Sequence, residues 1–542
     1  MPTDRIMGIE TEFAVSATSK EGVPIDRHAI LQRLTALAIE RWRFLPATCG
    51  NGIFTTSGAR FYVDTGGHPE WCAAETPDLR EAVAQVKAGE NLLNELATAL
   101  QEQEGGRCEV CLFRSNVSFN DGVPSTWGQH ESYMTRALPG SLAQDLIPHL
   151  VTRIIYTGAG GFSPFSPNRL AFCLSPRALF FSKAISDDSI GYGRGIFHTR
   201  DESLAGPGYW RLHVICGESL HSETALYLKL GATSLVVAMA EAGLEPGRKV
   251  QLQDPVQALH RVSGDLQHPL SLADGRTITA LDLQAHYLEI AERHQNHECM
   301  PSFAPQVCET WRRTLDGLRA GPEKLARVLD WPFKAQLFEK LHKDSGIHAV
   351  PLFIANGIEH RLYEALEGTS YVHHLPDLKF LIGPGSPVLE TAAMLSAELR
   401  RTGMTWNDLQ TPDSIRHKLL EVDLRLAQIG PRGLYQQLDQ TGMLEHRILA
   451  PSEIETAMTE PPASGRAAIR GKAVQKLHDR PGVTCSWQAV GDPENRRYLD
   501  LSDPFCAAER WVSRGGKMES DSRDHFESIM EELAAGRQPH GV

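Results

Sequence analysis

The stretch GIETEF, Gly8 to Phe13, sets two carboxylates two residues apart, and GARFYVDTGGHPEW, Gly58 to Trp71, alternates Arg, Tyr and Asp. Side chains alternate faces along a strand, so residues two apart share one. Read as a strand, Gly8 to Val15 places Glu10 and Glu12 on one face, with Ile9, Thr11 and Phe13 opposite. Arg60 to Asp64 likewise sets Arg60, Tyr62 and Asp64 against Phe61 and Val63. YWRLHVICG, Tyr209 to Gly217, repeats the pattern, with Arg211 and His213 on one side and Trp210, Leu212 and Val214 on the other. GQHESY gives His130 and Ser132 one face, Glu131 and Tyr133 the other.

A sheet that is apolar on one face and polar on the other has two explanations. One is a solvated antiparallel sheet, whose outer residues carry no chemistry. The other is a site. Solvated faces favour Lys, Thr and Ser, whereas these strands carry Glu, Asp, Arg and His and almost no Lys. Carboxylate oxygens suit a hard divalent cation such as Mg²⁺, and Arg takes phosphoryl oxygens in a fork. An Asp at the rim of such a face suits a general base or a nucleophile.

The chain has 542 residues, 42% hydrophobic and 22% charged, with a formal charge of −13. That length suits two or more domains, or one large enzyme domain with an appendage. The acidic balance argues against nucleic acid as a partner, since phosphate backbones need clustered Lys and Arg. No apolar run is long enough to span a bilayer, and Ala225 to Ala240, interrupted by Lys229, reads as a buried helix. MPTDRIMGIE lacks the marks of a signal peptide, so the expectation is a cytoplasmic protein without a membrane partner. Ten cysteines show no framework spacing. Cys108 and Cys111 form a CxxC inside a predicted strand, where packed thiols are favoured over a zinc or redox site. His294, His297, Glu298 and Cys299 close a polar helix and read as solvated.

Leu79 to Leu100 has helical periodicity, opened by Pro77 and a capping Asp78. Val110 to Val117 returns as a strand, and Leu146 to Tyr156 reads as a helix ending in TGAGG, a turn without the Lys and Ser/Thr of a P-loop. Helices dominate Ala280 to Lys343. From Ser345 the chain mixes apolar patches with Gly and Pro, and TEPPASGR, from Thr459, reads as a linker into a small terminal unit.

Five collinear blocks then resemble the Pup ligase and depupylase family, relatives of glutamine synthetase that attach or remove the prokaryotic ubiquitin-like protein Pup. They are RIMGIETEF; GARFYVDTGGHPEW with the following AAE; GQHESYM; TRDES with YWRLHVICGES and SETALYLKLG; and TEPPASGRAAIRG, within a span from Arg5 to about Phe505. The resemblance implies an α+β fold: a glutamine-synthetase-like large domain with a curved antiparallel sheet packed by helices, plus a small C-terminal domain. The expected division is a catalytic domain over 1–455 with a family-atypical insertion at about 343–415, a C-terminal domain over 456–515, and a polar, disordered tail over 516–542. ATP with Mg²⁺ would lie on the concave polar face. By motif, Glu10, Tyr62 and Glu70 match magnesium positions, Arg60 and Trp487 match nucleotide contacts, and Asp64 matches the catalytic aspartate. From their face and the glutamine-synthetase pattern, Glu12 and His130 join the metal set, and Arg211 and His213 the nucleotide set. Ala73 stands where the family often has Thr, which removes one polar nucleotide contact.

The ligase branch phosphorylates the C-terminal glutamate of Pup and joins it to a lysine of a target protein; the depupylase hydrolyses that bond. GIETEF, and the three residues Thr65 to Gly67 between Asp64 and His68, resemble the ligase, while YLKLG and GLYQQL read more like the depupylase. The implied activity is therefore ATP-dependent isopeptide formation between a small disordered Pup-like modifier and lysine-bearing proteins. The alternatives are a depupylase or deamidase, a ligase for another carboxylate and a small amine, and an inactive nucleotide-binding scaffold. The insertion reads either as a specificity element or as surface elaboration.

Overall fold

The computed structural model describes residues 5–118, 124–165, 172–188, 193–200, 204–344 and 413–513. The predicted insertion lies almost wholly outside these residues, as does the predicted tail.

Seven strands form one antiparallel sheet in the order Trp210–Val214, Gln129–Thr135, Met7–Glu12, Pro69–Cys72, Arg60–Val63, Ile53–Thr55 and Phe44–Pro46. The GIETE strand is therefore interior, paired on both sides. The alternation read from the sequence is realised as two chemically different faces. Ile9, Phe61, Trp71, Tyr133, Leu212 and Val214 are buried in the core, while Glu10, Glu12, Arg60, Tyr62, His130, Arg211 and His213 are only partly covered.

Helices cover the apolar face. Leu79–Gln103 begins on Asp78, whose carboxylate accepts from Glu81 N at 2.8 Å, as expected for an N-cap. It crosses the sheet closely at Gly89, where a Cβ would stand 2.2 Å from Trp71 Cδ1, so any side chain there would push the helix off the strand. Glu223–Glu241 is buried from its first residue through Met239, confirming the buried-helix reading of its core. Such a helix must pair its one cation. Lys229 Nζ donates to Gln129 O at 3.0 Å and Glu218 O at 3.0 Å, and lies 3.5 Å from Glu131 Oε1. Glu131 also takes a two-pronged bond from Arg153, both arms at 2.7 Å. This buried triad fastens the Gln129–Thr135 strand to its helices from beneath and leaves His130 on the upper face.

Three local expectations change. Gly8 to Val15 is not one strand: Met7–Glu12 belongs to the main sheet, and after Phe13 the chain continues as Ala14–Ser19, paired with Cys108–Phe113 in a separate ribbon. Phe13 N donates to Pro69 O at 3.0 Å, which closes the first sheet before the second begins. The strand expected over Val110 to Val117 is thus Cys108–Phe113; both CxxC thiols sit in that ribbon, and all ten cysteines are free. The helix expected over Leu146 to Tyr156 is two pieces, Ala143–Thr152 and Ile154–Thr157, meeting at Arg153.

The segment read as a linker from Thr459 is packed. Glu460 O accepts from Gln85, Ala463 N donates to Glu81, and the chain enters helix Gly465–Leu477 with Arg466 and Arg470 buried. A four-stranded sheet follows, Thr484–Cys485, Ala489–Asp492, Arg497–Asp500 and Trp511–Ser513. It shares one hydrophobic cluster with Leu45 and Phe54 of the main sheet. Glu75, just past the Pro69–Cys72 strand, accepts from Arg466 Nε at 2.6 Å and from Arg470 Nη1 at 3.0 Å, and this clamp fixes the terminal unit against the large sheet.

Burial alone would raise the Glu75 carboxyl, but Arg470 and Arg466 outweigh it and bring it down to about 2. A depressed carboxyl stabilises the fold above its unfolded value, 4.5, and that contribution disappears as pH falls toward about 2. Glu75→Gln leaves two buried guanidinium charges without their counter-charge and is expected to cost about 3–5 kcal/mol at neutral pH. Urea denaturation of the two proteins measures this, and the difference should shrink steadily below about pH 4.5.

Candidate functional site

Antiparallel pairing places directly opposed side chains on the same face. Along one row Glu10 pairs with His130 on one side and with Cys72 on the other, and Cys72 pairs with Arg60. Along the next row Glu12 pairs with Glu70, and Glu70 with Tyr62. Glu70 could not be assigned to this face by alternation, because the short Pro69–Cys72 strand shows no period; the register supplies it.

The contacts follow from these rows. Arg211 lies 3.5 Å from Glu10 Oε1, and His213 Nε2 and His130 Nδ1 lie 3.7 Å and 3.8 Å from Glu10 Oε2. Glu12 accepts from Gly128 N at 2.7 Å and lies 3.8 Å from His130 Nε2. Asp64 lies just past its strand, in a turn closed by its own N–H to His68 O at 2.9 Å. Its carboxylate accepts from His68 N at 2.6 Å and lies 3.0 Å from His68 Nδ1. Ligand atoms of Glu12, Asp64 and His68 fall within 4.8 Å of one another, so Asp64 meets the polar face from the turn. The same separation holds within Glu10, His130 and His213, and within Glu10, Glu70 and Cys72.

Arg60 differs from Arg211, which lies against Glu10. It donates to Asn51 O at 2.7 Å and lies 4.7 Å from the centre of the Tyr62 ring, yet among the described residues it forms no ion pair. Such a guanidinium has the geometry that suits phosphate and carboxylate oxygens.

The electrostatics divide the carboxylates. Burial would raise Glu10, but Arg211, His130 and His213 outweigh it and hold the group well below the ordinary range. Glu70 goes the other way: burial, then the charges of Glu10 and Glu12, push it well above. Asp64 is lowered, because hydrogen bonds from the His68 ring and backbone outweigh its burial. Burial, followed by the neighbouring Cys72, Glu70 and Glu10, raises the Tyr62 phenol and keeps it protonated. Burial and Arg211 lower His213 well below its usual value, so it is a neutral imidazole.

Next to these groups lies a cleft, partly open to solvent, bordered by Gly8, Glu10, Ala73 and Arg211 of the sheet and by Trp487 of the terminal unit. Trp487 is held edge-on to Phe54 at 5.1 Å, with the Arg470 guanidinium 4.8 Å from its ring centre. Trp210, expected on the apolar face, opens its strand half-buried and borders the same cleft. Every candidate residue thus belongs to one face or its adjoining cleft. Two residues escaped the sequence reading. His68 orients Asp64; its only signal was its position in the GGHPE turn. Arg177 is buried, with Nη2 3.4 Å from His130 Nε2 and Nη1 donating to Thr126 Oγ1 at 2.8 Å. Burial brings it down to about 10, with Glu12 opposing the shift. It stands outside any strand alternation, and nothing in the sequence marked it.

The family model of the Pup-ligase protein matches residues 5–352 and 391–491. The chain belongs to the Pup-ligase family. The two matched stretches leave 353–390 between them, within the segment that the sequence sets apart. Curated Pup–protein ligases from Xylanimonas cellulosilytica and Kocuria rhizophila are 30% and 32% identical, over 94% and 93% of this chain and 98% and 96% of their own. The crystal structure of the complex between the prokaryotic ubiquitin-like protein Pup and its ligase PafA is 25% identical, with a TM-score of 0.70, covering 100% of this chain and 99% of that one. A structure of the Pup ligase PafA with ADP is 24% identical with a TM-score of 0.63, over 95% of each chain. The α+β architecture is therefore that of a Pup-ligase relative. No described helix is long and apolar enough to cross a membrane.

Burial, then the charges of Glu10 and Glu12, favour the neutral form of the Glu70 carboxyl. Glu70→Gln is expected to leave the metal-free protein as stable or more stable at pH 7 to 8, by on the order of 1 kcal/mol. It should also abolish stabilisation by added Mg²⁺. Thermal unfolding with and without Mg²⁺ checks both.

Proposed function

We propose that this chain is an ATP-dependent Pup–protein ligase that joins the C-terminal glutamate of a small Pup-like modifier to a lysine of a target protein. One observation carries the reading: three carboxylates meet on one sheet face beside an Arg60 that has no ion-pair partner among the described residues. Adjacent acidic groups suit a divalent cation, and the free guanidinium suits the triphosphate that the cation accompanies.

The donor set fits Mg²⁺. Glu10, Glu12, Glu70 and the neutral Tyr62 phenol offer hard oxygens, and His130 stands between Glu10 and Glu12. When bound, Mg²⁺ would offset the negative charge of the phosphates. The other steps belong to the chain's own residues. Arg60 takes phosphoryl oxygens, with Arg211 and the neutral His213 next to Glu10. Trp487 and the cleft it borders receive the nucleoside, with the non-polar Ala73 on the wall.

A carboxylate is a poor electrophile, so ATP activates it first. The modifier's γ-carboxylate oxygen bonds to the γ-phosphorus, the bond to ADP breaks, and an acyl phosphate results. The lysine nitrogen then attacks the acyl carbon and inorganic phosphate departs. Asp64 receives the proton that nitrogen must lose. Its lowered pKa keeps it ionised, so it holds the lysine ammonium and takes the first proton, which frees the lone pair that attacks; the second proton leaves the nitrogen with the departing inorganic phosphate. His68 is a positioning residue that fixes the carboxylate in its turn. We place the enzyme in the cytoplasm, where ten unpaired thiols are stable.

The enzyme is incubated with ATP, Mg²⁺, a Pup-like peptide ending in Glu, and a lysine-bearing acceptor. Mass spectrometry should find a conjugate whose formation consumes ATP stoichiometrically. Release of acceptor from a preformed conjugate, with nucleotide only catalytic, would instead mean an amidase. Asp64→Asn is expected to lower conjugation by about 10²–10⁴-fold while ATP affinity stays within a few-fold of the parent. Full turnover by that variant would refute the assigned role.

A further inference from the structure

Beside the oxygen and nitrogen donors of this face stands one thiol. Cys72 is 4% exposed, points to the same face as its register partners Glu10 and Arg60, and its thiol makes no hydrogen bond among the described residues. Its sulfur and a carboxylate oxygen each from Glu10 and Glu70 lie within 4.8 Å of one another. On the other side of Glu10, the His213 Nε2 atom is buried and without a hydrogen-bond partner, 3.7 Å from Glu10 Oε2. Glu10 therefore has an unpartnered sulfur on one flank and an unpartnered imidazole nitrogen on the other.

The Cys72, Glu10 and Glu70 atoms form a mixed sulfur and oxygen set, which selects differently from an all-oxygen site. Mg²⁺ takes octahedral oxygen ligands and leaves a thiol untouched. Zn²⁺ binds thiolate, imidazole and carboxylate together, in a tetrahedron whose metal–ligand distances are about 2.0–2.3 Å. Donors in such a shell stand roughly 3.5 Å apart, so the Cys72, Glu10 and Glu70 atoms reach it by closing about 1 Å.

We infer that this face is also an inhibitory soft-metal site, in which Zn²⁺ or Cd²⁺ bound by Cys72, Glu10 and Glu70 displaces the Mg²⁺ needed for ATP chemistry. The inference rests on the proposed function for its consequence, since the same two glutamates serve both ions. On binding, the sulfur–hydrogen bond of Cys72 breaks, a sulfur–metal bond forms, and the proton passes to solvent; no redox change occurs. A tetrahedral ion held by three side chains leaves one open position, too few for a chelated triphosphate.

The test uses the full chain and the metals themselves. Cd²⁺ titration of the wild type should raise a thiolate-to-metal charge-transfer absorption that excess Mg²⁺ diminishes, and Cys72→Ala should lose that Mg²⁺-sensitive part of the signal. Zn²⁺ inhibition, expressed against each protein's own zinc-free rate, should require at least about 10-fold more metal in Cys72→Ala, since loss of a direct ligand costs no less than the loss of an outer-shell partner. Circular dichroism confirms that the variant is folded. Equal Cd²⁺ absorption and equal Zn²⁺ sensitivity in the two proteins would overturn the inference. ATP binding with Mg²⁺ is measured separately in zinc-free buffer. Its absence would count against the ligase reading, whereas the Cys72-dependent Cd²⁺ signal is decided by the absorption alone.

Discussion

Like charges brought onto one half-buried surface repel, and the architecture of this protein is organised around that repulsion. Glu10 and Glu70 oxygens lie within 4.8 Å of each other. Two full charges at that distance would cost about 3.5 kcal/mol at an effective dielectric near 20. The fold answers by setting Arg211, His130 and His213 around Glu10 and by favouring the neutral form of Glu70. Both responses are reversible. A divalent cation entering the face would restore the Glu70 charge and relieve the crowding, which is how a site can be poised for metal and nucleotide without being unstable when empty.

The opposite face supplies the rigidity. A sheet that must hold acidic groups at fixed spacing needs its strands pinned, and the pins are buried ion pairs. Glu131 with Arg153 and Lys229 fixes the Gln129–Thr135 strand; Glu75 with Arg466 and Arg470 fixes the Pro69–Cys72 side and, with it, the terminal unit. Buried pairs contribute little net stability, but removing one partner is costly, so they specify register strongly. Here register decides which side chains share the face. Trp487 reaches the cleft because the Glu75 clamp seats the terminal unit against strand Phe44–Pro46, where Thr48 N donates to Cys485 O at 2.8 Å.

The face itself was legible in the sequence wherever a strand was long enough to show its period: Glu10 with Glu12, Arg60 with Tyr62, His130 with Ser132, Arg211 with His213. Each alternation survives in the structure. The family followed from blocks of sequence around those same strands, and the comparisons bear it out. What could not be read was anything set by pairing between distant segments. Strand order, the place of Glu70 opposite Glu12, and the insertion of Cys72 between Glu10 and Arg60 are properties of register. The break after Phe13 was hidden because both halves of Gly8 to Val15 are extended; only the change of partner divides them. TEPPASGR has the composition of a linker, yet Glu81 and Gln85 of a distant helix fasten it. Arg177 lies outside any strand, so no periodicity could point it toward His130.

The central claim is that one divalent cation and one triphosphate meet on this sheet face. Crystals grown with Mn²⁺ and a non-hydrolysable ATP analogue test it most directly, through the anomalous signal of the metal. The account predicts a peak within coordinating distance of Glu10 and Glu70, with phosphate oxygens between it and Arg60. Metal and nucleotide bound together elsewhere, with those two carboxylates still bare, would contradict it.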